Sequence, residues 1–191
     1  MIRFLAAAAT AIVLVFSQGG CQVETETKQP VVKREFDLSQ PPSRAAVGLQ
    51  DGKADVIYGE RDLTDFPVVV KLPEGKKIES DARIVGFASR SKPQPTTDPP
   101  SSMDIHYYAP NLEAGRDRLM AIAQEFGLKT DAFTKWYDQA NAVKGKMGSS
   151  VESLWVQGKI GYLTLEVKGR YMPAPEPASA QTIVHYLFTW R

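Results

Sequence analysis

Two neighbouring segments with helical periodicity stand in the second half of the chain, and they constrain its fold more than any other feature. Apolar side chains recur at helical spacing in both, at Leu119, Ile122, Ala123 and Phe126 in the first and at Phe133, Trp136, Tyr137 and Ala140 in the second. Such spacing places each set on one face of a helix. Asn111 predicts the N-cap of the first helix and Gly127 its left-handed C-cap. Thr130 or Asp131 is expected to cap the second helix, and the short link makes the helices neighbours.

Segments with strand character lie on both sides of the helix pair. They cover residues 68–72, 82–88 and 103–109 before it, and residues 153–156, 163–168 and 182–190 after it. In the fifth segment Leu163, Leu165 and Val167 alternate with polar residues, which is typical of a half-buried strand. Residues 158–161 are expected to form a tight turn. The order β-β-β-α-α-β-β-β predicts an α+β fold, in which a helical hairpin packs on one face of an antiparallel sheet.

The first twenty residues differ from the rest of the chain. Arg3 is the only charged residue among them, and an apolar run follows at residues 4–16. A membrane-spanning helix needs about 20 apolar residues, so this shorter run fits the central region of a signal peptide. Gly19 and Gly20 then precede Cys21, the one cysteine in the sequence. Small residues before a cysteine at this place indicate a processing site.

Residues 1–21 resemble the precursor of a bacterial lipoprotein, although Gln18 stands where such precursors usually carry Leu or a similar apolar residue. The resemblance implies cleavage before Cys21 and attachment of acyl chains to its sulfur. It also implies a location in the cell envelope, on the outer face of the cytoplasmic membrane or in the outer membrane. Two alternatives remain open at this point: cleavage that leaves Cys21 as a free thiol, and an uncleaved membrane anchor.

Three regions are expected along the chain: a signal peptide at 1–20, the lipidated cysteine with a flexible tether at 21–65, and one globular domain at 66–191. The predicted tether rests on residues 22–44, which are rich in Glu, Lys, Gln, Pro and Ser and poor in large apolar side chains. Without residues 1–20 one of the 23 basic residues is lost, and the remainder equals the 22 acidic residues. A nucleic-acid partner is not expected, because it would require a clustered basic excess.

The two histidines, His106 and His185, each lie in a strand segment beside aromatic residues. Asp104 shares a strand face with His106, because residues two apart in a strand point the same way. These three residues are the candidate metal ligands, since zinc is held by imidazole and carboxylate groups. The plainer interpretation is a hydrogen-bonded histidine on a sheet. The two histidines would meet only if their strands were adjacent, which the sequence does not determine.

Neither a catalytic motif nor a phosphate-binding glycine loop is found, so no catalytic residue and no cofactor are predicted. Tyr162 and Tyr171 are the candidate binding residues, because Tyr162 alternates with Leu163 and should therefore face outward. We expect a membrane-anchored, non-enzymatic envelope protein that binds a protein, a peptide or a cell-wall partner. The alternatives are a small-ligand carrier and a hydrolase that uses His106 and His185.

Overall fold

Two β-sheets and a pair of α-helices make up the part of the chain that the computed structural model describes, which is residues 33–48, 57–58, 64–89 and 98–190. The strands are β1 (Arg34–Asp37), β2 (Ile57–Tyr58), β3 (Phe66–Lys71), β4 (Lys77–Ala82), β5 (Ile84–Ser89), β6 (Pro100–Ala109), β7 (Val151–Glu152), β8 (Val156–Ile160), β9 (Leu163–Met172) and β10 (Gln181–Thr189), and the helices are α1 (Leu112–Phe126) and α2 (Asp131–Ala142). Within these residues no helix is long and apolar enough to cross a membrane.

The larger sheet has the strand order β2-β5-β6-β10-β9-β7. A seventh strand, β8, also belongs to this sheet and pairs with β9. All of its neighbouring strands are antiparallel. β10 lies between β6 and β9, in the centre of the sheet. The smaller sheet has the order β1-β3-β4, with β1 parallel to β3. The predicted α+β class with an antiparallel sheet is confirmed.

The helical hairpin packs on one face of the larger sheet, as predicted. The side chain of Asn111 accepts a hydrogen bond of 2.8 Å from the backbone N–H of Ala114, and Gly127 ends α1 at a φ of 65°. Both caps therefore lie where the sequence predicts them. At Gly169 of β9 an added Cβ would lie 2.8 Å from Leu119 Cδ1 and 3.0 Å from Trp136 Cε2. The missing side chain thus lets both helices approach the sheet closely.

A hydrophobic core joins the helices, the inner face of the larger sheet and the smaller sheet. Its largest fully buried side chains include Trp136, Tyr186, Phe133, Phe188, Leu38, Leu72, Ile78, Met103, Ile105, Leu112, Leu119 and Ile122. Phe36 of β1 meets Phe87 of β5 edge to face, with 5.2 Å between ring centres. This contact packs the smaller sheet against the larger one. Phe126 is only partly buried, so the apolar face of α1 is anchored chiefly by Leu119 and Ile122.

The folded part of the chain begins earlier than the predicted boundary at residue 66. β1 lies in the smaller sheet, and the side chains of Phe36, Leu38 and Val47 are buried in the core. The predicted tether at 21–65 is therefore corrected, because residues 34–48 belong to the fold. β1 escapes prediction because Phe36 is the one buried residue in a four-residue strand, which leaves no alternating pattern. The predicted signal peptide at 1–20 and Cys21 lie outside the described residues.

The chain reversal between β8 and β9 also differs from the prediction. Gly158 lies inside β8, and the turn is formed by Gly161, with a φ of 57°, and Tyr162. The missing side chain of Gly158 lets the side chain of Leu128 pack against the strand, because an added Cβ would meet it. The predicted turn at 158–161 is thus wrong in its position. Gly158 packs within β8, and only Gly161 belongs to the turn.

Candidate functional site

The face of the larger sheet that points away from the helices carries most of the polar side chains on its central strands. Val184 and Tyr186 are fully buried on the helix side, so His185 between them points to the opposite side. The same alternation around the buried Ile105 directs Asp104 and His106 to that side. We call this side the outer face; its residues are Asp104, His106, Tyr108, Ile183, His185, Glu166, Lys168 and Arg170.

The structure brings both histidines and Asp104 together on the outer face. β6 and β10 pair with His106 directly opposite His185, and the centres of the two imidazole rings are 4.1 Å apart. Nε2 of His106 lies 2.8 Å from Oδ2 of Asp104. One donor atom from each of the three residues lies within 4.8 Å of the other two. The three residues that the sequence indicates as candidate metal ligands therefore form one cluster.

Two polar atoms of the cluster are shielded from solvent and make no hydrogen bond to any described residue. They are Nε2 of His185 and Oδ1 of Asp104. A buried polar atom without a partner costs about 1–3 kcal/mol, and the great majority of such atoms in native proteins are paired. Two of them in one cluster indicate a place where a polar or charged ligand can bind.

The electrostatic surroundings keep the imidazole of His185 neutral. Burial lowers the pKa of His185 from its ordinary value of 6.5 to about 4, and His106 contributes in the same direction. Lys168 and Arg170 add to this decrease, whereas the carboxylate of Asp104 opposes it. A neutral imidazole carries one lone pair that can accept a hydrogen bond or bind a cation. His185 is thus in its ligand-binding form at neutral pH.

Trp155 borders the cluster on the side of β9. Its ring meets that of His185 edge to face, with 6.2 Å between centres, and it is 42% exposed. Nζ of Lys168 lies 4.8 Å from the centre of the Trp155 ring and 2.9 Å from Oε2 of Glu152. The hydrogen bond from Lys168 lowers the pKa of Glu152. The predicted strand at 153–156 is misplaced, because Trp155 lies between β7 and β8. Trp155 is therefore not among the predicted site residues.

The chain was compared with protein-family models, with curated proteins and with solved structures. None of them matches. The use of the cluster must therefore be inferred from its own chemistry. A hydrolase of the Ser-His-Asp kind needs a hydroxyl within hydrogen-bond reach of the imidazole. In the described part of the chain, no serine or threonine hydroxyl hydrogen-bonds His106 or His185.

Tyr162 and Tyr171, which the sequence indicates as binding residues, both make contacts within the fold. The hydroxyl of Tyr162 donates a 2.9 Å hydrogen bond to the carbonyl of Leu38, and burial raises its pKa to about 12. Tyr171 is 3% exposed and lies on the helix side of the sheet, opposite Thr182. Tyr171 is therefore not accessible to a partner, and Tyr162 holds the β8–β9 turn against the segment after β1.

Proposed function

We propose that this protein is an exported lipoprotein of the cell envelope whose folded part is a non-enzymatic binding module. Its ligand or partner binds on the outer face, at His106 and His185. One observation carries this proposal: the two imidazoles stand opposite each other on the central strands, beside polar atoms that have no partner among the described residues. Such atoms are a cost to folding, which binding of a polar group removes.

The sequence before the fold supports the proposed attachment to a membrane. An apolar run at residues 4–16, followed by Gly19, Gly20 and Cys21, is the pattern on which export and lipidation are proposed. Only the dozen residues 22–33 then separate Cys21 from β1. A fully extended chain spans at most about 3.6 Å per residue, so the proposed tether reaches about 40 Å at most.

The attachment is tested by replacing the cysteine. In a bacterial host that is fed a labelled fatty acid, the protein is expected to take up the label and to sediment with membranes. Cys21→Ser should lose the label and move to the soluble fraction, whereas Ser17→Ala, a neighbouring change before the cleavage point, should behave as the unaltered protein. Membrane retention of Cys21→Ser at the level of the unaltered protein would contradict the anchor.

The binding surface is tested by site-specific photo-crosslinking in the same host. A photo-reactive residue is placed at Glu166 on the outer face, and at Lys135 on the exposed side of α2 in the matched control. A defined adduct with an envelope protein, a peptide or a cell-wall fragment is expected at position 166 and not at position 135. Equal adducts at both positions, or an adduct at position 135 alone, would contradict the outer face as the binding surface.

A further inference from the structure

We propose that Asp104, His106 and His185 form a binding site for a divalent first-row transition-metal ion. This inference rests on the proposed function, because it takes the outer face as the binding surface, and it adds the chemical class of the ligand. The donor atoms lie within 4.8 Å of one another. Ligand atoms around a tetrahedral zinc ion at about 2.1 Å are roughly 3.4 Å apart, so side-chain rotations of modest size close the site.

The donor set selects the class of ion. Two imidazoles and one carboxylate suit zinc, copper, nickel and iron, whereas magnesium and calcium prefer oxygen ligands alone. The two atoms without a partner, Nε2 of His185 and Oδ1 of Asp104, are both groups that bind such ions. A cation bound between these two atoms would give each of them a binding partner. The other oxygen of Asp104, Oδ2, lies 2.8 Å from Nε2 of His106 and orients that imidazole in the metal-free protein.

The position of the cluster gives the site its rigidity and leaves it accessible. Both histidines belong to central strands whose register is fixed by a partner on each side. The side chain of His106 is 21% exposed and that of Asp104 is 43% exposed, so an ion can reach the cluster from solvent. Three protein donors leave a coordination position open, as in zinc sites that bind a further molecule. An envelope partner that offers a carboxylate or an imidazole could occupy that position.

Isothermal titration calorimetry with zinc chloride tests the site. The full chain is purified in mild detergent without a histidine tag, and every protein in the set carries Cys21→Ser so that no thiol competes. One zinc ion per chain is expected to bind. Each of His106→Gln, His185→Gln and Asp104→Asn should weaken binding at least about tenfold. Asp117→Asn, an exposed acidic residue of α1, should bind zinc unchanged, and magnesium should give no binding.

A second measurement keeps the test decisive if a variant unfolds. The chain contains two histidines, so the NMR spectrum of the folded protein with an intact cluster shows two sets of imidazole signals. Both should shift on addition of one equivalent of zinc. Unshifted imidazole signals, or zinc binding that survives His185→Gln in a folded protein, would overturn the metal site. Crosslinks from position 166 are scored independently, so an outer face that binds a partner without binding metal would be recognised as such.

Discussion

Mild acid should destabilise the metal-free protein in part through the titration of His185. Its pKa is 6.5 in an unfolded chain and about 4 in the fold. Between these two values the unfolded chain binds a proton that the native state does not bind, so the free energy of unfolding falls as the pH decreases from 6.5 to 4. Above pH 6.5 the imidazole is neutral in both states and contributes no slope. Below pH 4 it is charged in both states, and the loss is complete.

The size of this loss follows from the shift. One pKa unit corresponds to about 1.4 kcal/mol, so the full shift of His185 would amount to about 3 kcal/mol. The imidazole is not completely buried, and solvent screens part of the interaction with its charged neighbours. We therefore expect a loss of about 2 kcal/mol between pH 7 and pH 4. For a domain of this size that is a substantial part of a total stability of about 5–15 kcal/mol.

Urea unfolding of the metal-free protein measures the effect, with EDTA present and the pH varied in steps from 7.5 to 4. His185→Gln is the matched variant, because glutamine cannot titrate and keeps a polar side chain at the position. The unaltered protein should lose about 2 kcal/mol more than His185→Gln over this range, since acidic residues elsewhere titrate in both. Identical pH profiles for the two proteins, or a steeper loss in the variant, would refute the reasoning.

Three further predictions concern the fold. Gly169→Ala should lower the free energy of unfolding by about 1–3 kcal/mol in urea titrations, because the added methyl group meets Leu119 and Trp136. Gly148→Ala should have less effect, because its methyl group makes only an ordinary van der Waals contact. Asn111→Ala should cost about 1 kcal/mol by loss of the helix cap, and Asn111→Asp should retain most of the stability. A chain that starts at residue 66 should give poorly dispersed amide NMR signals, because it lacks β1 with its core side chains, and a chain that starts at residue 33 should give a dispersed spectrum.

The features that the sequence predicts well are those set by residues close together in the chain. Both helices, the cap at Asn111 and the end at Gly127 depend on spacings of three or four residues, which any reading of the sequence can see. β1 could not be predicted in this way, because its place in the fold depends on pairing with β3 and on burial of Phe36 beneath the larger sheet. Its surroundings in the sequence are polar and rich in proline.

For the candidate site, too, only the features that depend on neighbouring residues could be predicted from the sequence. Asp104 and His106 share a face because they are two residues apart, and this much is local. The meeting of His106 with His185 required β6 and β10 to be neighbours, which is a property of the whole sheet. Tyr171 shows the opposite case. Alternation from Leu163 along β9 already places Tyr171 on the inner side, so the prediction of Tyr171 as a binding residue is wrong on a local pattern that the sequence shows.

The packing of the core and the geometry of the site are set by the same constraint. A slip of one residue between paired strands would turn every side chain of a strand to the other face of the sheet. Such a slip in β10 would expose Val184 and Tyr186, which are fully buried, and would carry His185 into the apolar core. The burial of these two neighbours therefore fixes the register that brings His185 opposite His106. Because the ladder on both sides of β10 resists displacement, the two imidazoles are held together before any ligand arrives, and binding need not supply the free energy of ordering them.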